Sequence, residues 1–134
     1  MAKRLSNEQF QTLASFRQAL RKLLRTSEDA ALAMGMTPQH HQALIVLRGT
    51  PDRALLTIGD LAERLQIKHH STVGLVNRLA AHGYVVREQG KEDRRQVFVK
   101  LTKEGNSALD KLGEVHHHEL EFITPKLMSM LPEP

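Results

Sequence analysis

Residues 61–102 read LAERLQIKHHSTVGLVNRLAAHGYVVREQGKEDRRQVFVKLT, and the period of their apolar positions decides the architecture. Leu61, Ala62 and Leu65 recur at three- and four-residue spacing; Gln66, Ile67 and Lys68 interrupt, and Val73, Val76, Leu79 and Ala80 resume the rhythm. The pattern predicts two short helices joined by a tight turn, a helix-turn-helix over 58–82. At about 100° per residue, Thr72, Val73, Leu75, Val76, Leu79 and Ala80 share one arc of the second helix, which must be buried. His70, Ser71, Gly74, Asn77, Arg78 and Ala81 take the opposite arc. That arc holds hydrogen-bonding and cationic groups with a glycine near its middle, so a flat partner such as duplex DNA can approach the backbone closely. Gly83 then closes the helix.

Tyr84, Val85 and Val86 begin an extended segment, a polar tip with a glycine spans 89–92, and residues 96–101 alternate with period two. The second strand therefore returns antiparallel, making a hairpin over 84–102. Lys91, Arg94 and Arg95 are carried outward on this narrow finger, where long cationic side chains suit phosphates or a minor groove. Residues 64–103 hold nine Lys/Arg against three Asp/Glu, a net of +6, while the whole chain of 134 residues carries +4. The positive charge is concentrated on the helix-turn-helix and its hairpin.

Taken together, LAERLQIKHHSTVGLVNRLAAHGYVVR, then Asp93-Arg94-Arg95, then VKLTKEG, resemble the MarR family of bacterial winged-helix transcription regulators. The resemblance runs without a gap from 61 to 105, and a helix on either side fits it too. Its most particular part is the Asp-x-Arg wing followed four residues later by a strand ending in Leu-Thr. It implies a mainly α fold with a small β-hairpin wing, a winged helix-turn-helix with N- and C-terminal dimerisation helices. The single domain would divide into dimerisation helices at 5–35 and 103–131 around a DNA-binding lobe at 37–102. The implied function is a sequence-specific DNA-binding transcription regulator, most simply a repressor released by a small aromatic or amphipathic effector. Its partners would be a second copy of the chain, as a homodimer, and a pseudo-palindromic operator in double-stranded DNA.

On the recognition helix, His70, Ser71, Asn77 and Arg78 are the candidates for base edges and phosphates, with Lys68 and His69 near the backbone at its amino end and Gly74 allowing close approach. In the wing, the resemblance places the minor-groove arginine at Arg95, its positioning carboxylate at Asp93 and an additional basic residue at Arg94, beside Lys91 at the tip. Three positions depart from the family pattern. Lys68 stands where a Ser-type cap is usual, Gly74 replaces a longer polar side chain, and Gly90 replaces the acidic residue common at the wing tip. The second departure shifts discrimination toward DNA shape and the wing. The effector crevice implied by the resemblance lies between the dimer helices and the lobe, with Phe16, Arg17 and His41 as lining candidates on the first two helices.

Two rival readings stay open: a metal-responsive, zinc-type regulator on the same fold, and a winged-helix protein-interaction module without specific DNA binding. Eight histidines (40, 41, 69, 70, 82 and 116–118) prompt the first. Neighbours on a helix point about 100° apart, however, so the triple run cannot converge on one ion unaided. The expectation is no metal or other cofactor, with the histidines exposed or titrating.

Composition bounds the rest. Forty per cent apolar and 25% charged residues are ordinary for a soluble domain, and 4% aromatics leave Leu, Val and Ala to fill the core. Absence of cysteine excludes disulfides, Cys-ligated zinc and cysteine catalysis. No apolar run of about eighteen residues occurs, so the chain is expected in the cytoplasm and not in a membrane. No nucleophile elbow, phosphate loop or paired-carboxylate motif points to an enzyme.

Toward the ends, Ser6 with Gln9 forms a capping box, and Phe10, Leu13, Phe16, Leu20, Leu23 and Leu24 form a stripe on a first helix of roughly 28 residues, stopped at Gly35. One compact body cannot cover such a stripe, which points to a partner chain. Thr37-Pro38 opens a second helix ending at Gly49, and Leu55-Leu56 makes a short strand against the wing before Thr57 and Asp60 cap the helix-turn-helix. Thr102 opens one long final helix bearing Leu109, Leu112, Val115, Leu120, Phe122 and Ile123. Pro125 should kink or end it, with a further turn or two over 126–131 and a tail at 132–134.

Overall fold

The computed structural model describes residues 3–51 and 55–130, with the backbone alone at 123, 124 and 126–130. Asp52 of the expected loop, the side chain of Ile123 and the expected tail at 131–134 lie outside the described residues. In order the elements are α1 (Asn7–Ala33), α2 (Pro38–Arg48), β1 (Leu56–Thr57), α3 (Ile58–Leu65), α4 (His69–Ala81), β2 (Val85–Gln89), β3 (Val97–Leu101), α5 (Lys103–Asp110) and α6 (Gly113–Met130).

Local chemistry sets most of these boundaries. Ser6 and Gln9 cap α1 reciprocally, the Thr37 hydroxyl accepts from the His40 N–H at the start of α2, and Thr57 and Asp60 cap α3 reciprocally. Each arrangement satisfies an amide that a helix start leaves unpaired, worth about 1 kcal/mol. Lys68 stands at the N-cap of α4 with no side-chain bond to it, so this helix begins without that help. The turn before it passes through Gln66 at φ 56°, a left-handed conformation that costs a side-chain-bearing residue roughly 1 kcal/mol. The Gln66 side-chain amide donates to the Glu63 carbonyl at 2.7 Å, which helps hold the turn.

The sheet has order β1-β3-β2 and is antiparallel throughout. Leu56 pairs with Val99 and Thr57 with Phe98; Val85 pairs with Leu101 and Gln89 with Val97. At the hairpin tip a Cβ on Gly90 would stand 2.4 Å from the Asp93 carbonyl oxygen, so only glycine fits there. The base is equally close: a Cβ on Gly105, in the first turn of α5, would stand 2.2 Å from the Tyr84 carbonyl oxygen. Thr102 caps that helix and donates to the Gly83 carbonyl at 2.5 Å, tying the wing's return to the end of α4.

One core binds these elements. Ala43 and Leu44 of α2, Leu61 of α3, and Leu75, Val76 and Leu79 of α4 close on Val85, Val99, Ala108 and Leu109. The buried arc of α4 is the one its period predicted, with Val73 and Ala80 half-buried at its margins. At the outer end, α1 has little against it. Leu23, Ser27 and Ala31 are buried, but Phe10 is 55% exposed and Leu13, Leu20, Leu24 and Leu32 are exposed as well.

The carboxyl-terminal region differs from expectation. The single long helix is broken at 111–112 into α5 and α6, and Pro125 lies inside α6. Leu109 and Leu112 both turn into the protein, and Gly113, a poor helix residue, follows at once; a continuous helix would trade that burial for regularity. After the break α6 packs along α1. Proline removes one helical hydrogen bond, and here the helix continues past the loss.

Candidate nucleic-acid interface

The outward face of α4 carries His69, His70, Ser71, Asn77 and Arg78, all exposed, with Lys68 exposed just before it. Gly74 is half-buried among them, and a Cβ built there would lie 3.4 Å from Nη1 of Arg78, whose guanidinium folds back over the glycine. Arg78 thus lies over the position where the sequence suggested that a flat partner could approach the backbone.

In the wing, Asp93 and Arg95 form a closed fork. The Arg95 backbone N–H donates to Asp93 Oδ1 at 3.0 Å, Nε donates to the same oxygen at 3.1 Å, and Nη2 donates to Oδ2 at 3.3 Å. The Arg95 side chain is nonetheless 92% exposed. A planar cation is thus held at a set angle while its free edge faces outward. The side-chain and backbone bonds from Arg95 hold the Asp93 carboxyl below its ordinary range. Gln89 donates to the Arg94 carbonyl at 2.7 Å, bracing the tip, and Lys91 and Arg94 are exposed on it. Lys100 pairs with Glu88 at 2.6 Å and holds that carboxyl low, so this acid stays charged with its countercharge beside it.

Helix and wing meet. His69 of α4 and Arg95 line one small cleft of about 300 Å³ with Gly59 and Gln96. A second link was not visible in the sequence: Arg87, exposed on β2, donates to Oδ1 of Asn77 on α4. An exposed arginine on the strand after a recognition helix was the available signal, but helical period says nothing about the neighbouring strand.

The three candidate effector residues do not gather. Phe16 is half-buried and Arg17 exposed on α1, whereas His41 is buried in α2, and none of them lines the clefts described here. A cleft of about 460 Å³ does lie between α2, α5 and α6, walled by Ile45, Leu109 and Leu120 with His116 and Glu119 at its polar side.

Of the histidines expected to be exposed or titrating, two are buried, His40 at 5% and His41 at 2% exposed. Burial is tolerated because both ring nitrogens of His41 have partners: Nε2 meets His116 Nε2 at 2.7 Å, and Nδ1 meets Ser27 Oγ at 3.4 Å. His40 packs edge-on against His82 at 5.9 Å, and His82 stacks on Tyr84 at 5.8 Å. Among the described residues no three histidine or carboxylate side chains are grouped to hold a metal ion.

Burial, then the His116 ring, lowers the His41 imidazole below its ordinary 6.5, with Glu119 opposing. Burial, then Arg78 and His82, lowers His40 likewise. Both rings take up a proton more readily in the unfolded chain. Their contribution to stability is therefore complete above about pH 6.5 and is lost as pH falls through the folded-state values. The urea midpoint is expected to drop between about pH 7 and pH 5, and His41→Gln to flatten part of that slope. A midpoint with the same slope in the variant would show that His41 does not carry it.

Comparison with known proteins adds kinship to this geometry. The family model described as MarR family matches residues 34–96. The chain is 33% identical over 104 residues to the uncharacterized HTH-type transcriptional regulator YfiV of Bacillus subtilis (strain 168), covering 75% of this chain and 62% of YfiV. It is 35% identical over 69 residues to the HTH-type transcriptional regulator FarR of Neisseria gonorrhoeae, covering 52% of this chain and 47% of FarR. The chain thus spans less than two thirds of the length of either. Among solved structures, Sco3205, a MarR family transcriptional regulator from Streptomyces coelicolor in complex with DNA, superposes with a TM-score of 0.77 at 24% identity, covering 97% of this chain and 84% of that one. At that identity the likeness shows the fold.

Proposed function

The chain belongs to the MarR family of transcription regulators, and on that premise we propose that it is a sequence-specific DNA-binding regulator, most simply a repressor that blocks access to the operator it occupies. The observation that carries this reading is the meeting of the α4 face with the Asp93-locked Arg95 on one side of the lobe, in the segment of densest positive charge. Lys68, His69, His70, Ser71, Gly74, Asn77 and Arg78 would face a major groove. Arg95, held by Asp93, would enter the adjoining minor groove with Lys91 and Arg94 on its phosphates. The DNA in the Sco3205 structure supports the same partner.

The second copy of the chain would dock on the exposed leucines and Phe10 of α1, a helix that α6 meets elsewhere along its length. Two α4 helices at a set spacing would then read the halves of a pseudo-palindrome. A small aromatic or amphipathic effector would work by binding better to a dimer whose spacing mismatches the half-sites. The cleft between α2, α5 and α6 joins lobe to end helix and is its best-placed seat. Among the described residues no helix is long and apolar enough to cross a membrane; operator binding would put the protein in the cytoplasm with its DNA. The family is one of regulators, and we assign the chain no catalysis.

The test is selection of bound fragments from a random duplex pool, followed by salt titration and repetition with candidate effectors. The expected result is one sequence preferred by at least about 10³ over random duplex, with affinity falling steeply with salt, from a chain whose solution mass is that of a dimer. A lone subunit indifferent to every duplex at low ionic strength would overturn the proposal.

A further inference from the structure

Arg87 and Asn77 are ten residues apart, on different elements, and both are exposed; their bond joins β2 to the outward face of α4. We infer that Arg87 is a positioning residue that fixes which edge of a base Asn77 reads. The inference rests on the proposal that α4 lies in a major groove.

A guanidinium has five N–H donors and no acceptor, so the Asn77 atom that faces Arg87 must be the oxygen. The amide is then no longer free to flip. Its NH2 group, with two donors, is turned away from Arg87, and its oxygen is engaged with a cation. An unconstrained asparagine in a major groove pairs with adenine by accepting from N6 and donating to N7. With its oxygen turned to Arg87, Asn77 presents the two N–H bonds of its amide, and the edges that meet donors without needing an acceptor in return are O6 and N7 of guanine and O4 of thymine, whereas adenine shows an N6 donor beside its N7 that the turned-away oxygen does not meet. The bond also ties the reading helix to the wing strand, so the amide's direction is set by the lobe itself and not by the DNA.

The experiment compares the wild-type chain with Asn77→Ala, Arg87→Ala and Arg87→Lys, each subjected to selection from a random duplex pool and to competition among single-base variants of the selected site. Thermal midpoints are recorded for each variant. The Asn77→Ala variant locates the base position read by that residue as the one where preference collapses. Wild type is expected to hold guanine or thymine there. Arg87→Ala is expected to admit adenine, the preference at that position alone falling by about tenfold or more. Arg87→Lys keeps the charge without the planar fork, so it should retain overall affinity yet relax the same position.

Adenine selected by the wild-type chain at that position overturns the inference. So does an Arg87→Ala variant that loses affinity equally on every duplex, which would make Arg87 a phosphate contact, and so does an Asn77→Ala variant with every preference intact. A wild-type chain that selects no duplex overturns the DNA-binding proposal itself, an outcome distinct from these three.

Discussion

Leu75→Ala is expected to lower the unfolding free energy by about 2–5 kcal/mol, the range for deleting a fully buried leucine side chain whose surroundings cannot collapse. Leu75 is completely buried in the middle of α4, in the one core that α2, α3, α4 and the sheet share. No element on that side can move inward without leaving its own partners. Against a total of about 5–15 kcal/mol for a domain of this size, the loss is a large fraction. Urea unfolding followed by circular dichroism measures it: the midpoint should fall while the slope with denaturant is kept. A loss under about 1 kcal/mol would mean that α4 is not seated as described. Residual folded protein in the cold should still bind DNA, since Leu75 faces away from it.

Arg95→Ala is expected to act the other way round, weakening operator binding by about 1–3 kcal/mol, or roughly 5- to 150-fold, with solution mass and thermal midpoint unchanged. The side chain is almost wholly exposed, so its loss removes little packing. What disappears is a cation oriented in advance by two bonds from its guanidinium to Asp93. Deletion also strips the Asp93 carboxylate of the partner that holds its pKa low, leaving an unpaired negative charge in the wing that the proposal sets against phosphates. Asp93→Asn keeps the cation but frees it, and should show a smaller loss confined to affinity. Equal affinity of Arg95→Ala and wild type for the selected operator would remove the wing from the interface.

Much of this arrangement is written locally. The capping pairs at Ser6 and Gln9 and at Thr57 and Asp60, the three- and four-residue rhythm of α4 and the alternation of 96–101 depend on neighbours a few residues away, and the caps, helix and strand they predict appear where the sequence placed them, with burial along β3 peaking at Val99 and not alternating. The Asp93–Arg95 fork is also a two-residue matter, since its bonds join residues two apart in the chain. What escaped detection joins distant parts. His41 meets His116 across 75 residues, and Arg87 meets Asn77 only because β2 runs back along α4. The break at 111–112 depends on which way Leu112 finds room to turn. The left-handed Gln66 escaped for a different reason, since that conformation usually selects glycine or asparagine and neither is there. Gly90, a departure from the family pattern when met as a letter, proves to be a matter of space: the Asp93 carbonyl occupies the place of its side chain.

Thr57 pairs with Phe98 in the sheet and, in the next bond along, caps α3 through its hydroxyl. No residue separates strand from helix, so the wing strand β3 is joined through β1 to the helix-turn-helix without an intervening loop. An effector of the kind proposed would therefore move wing and helix-turn-helix as one body, with the pivot elsewhere than at this joint.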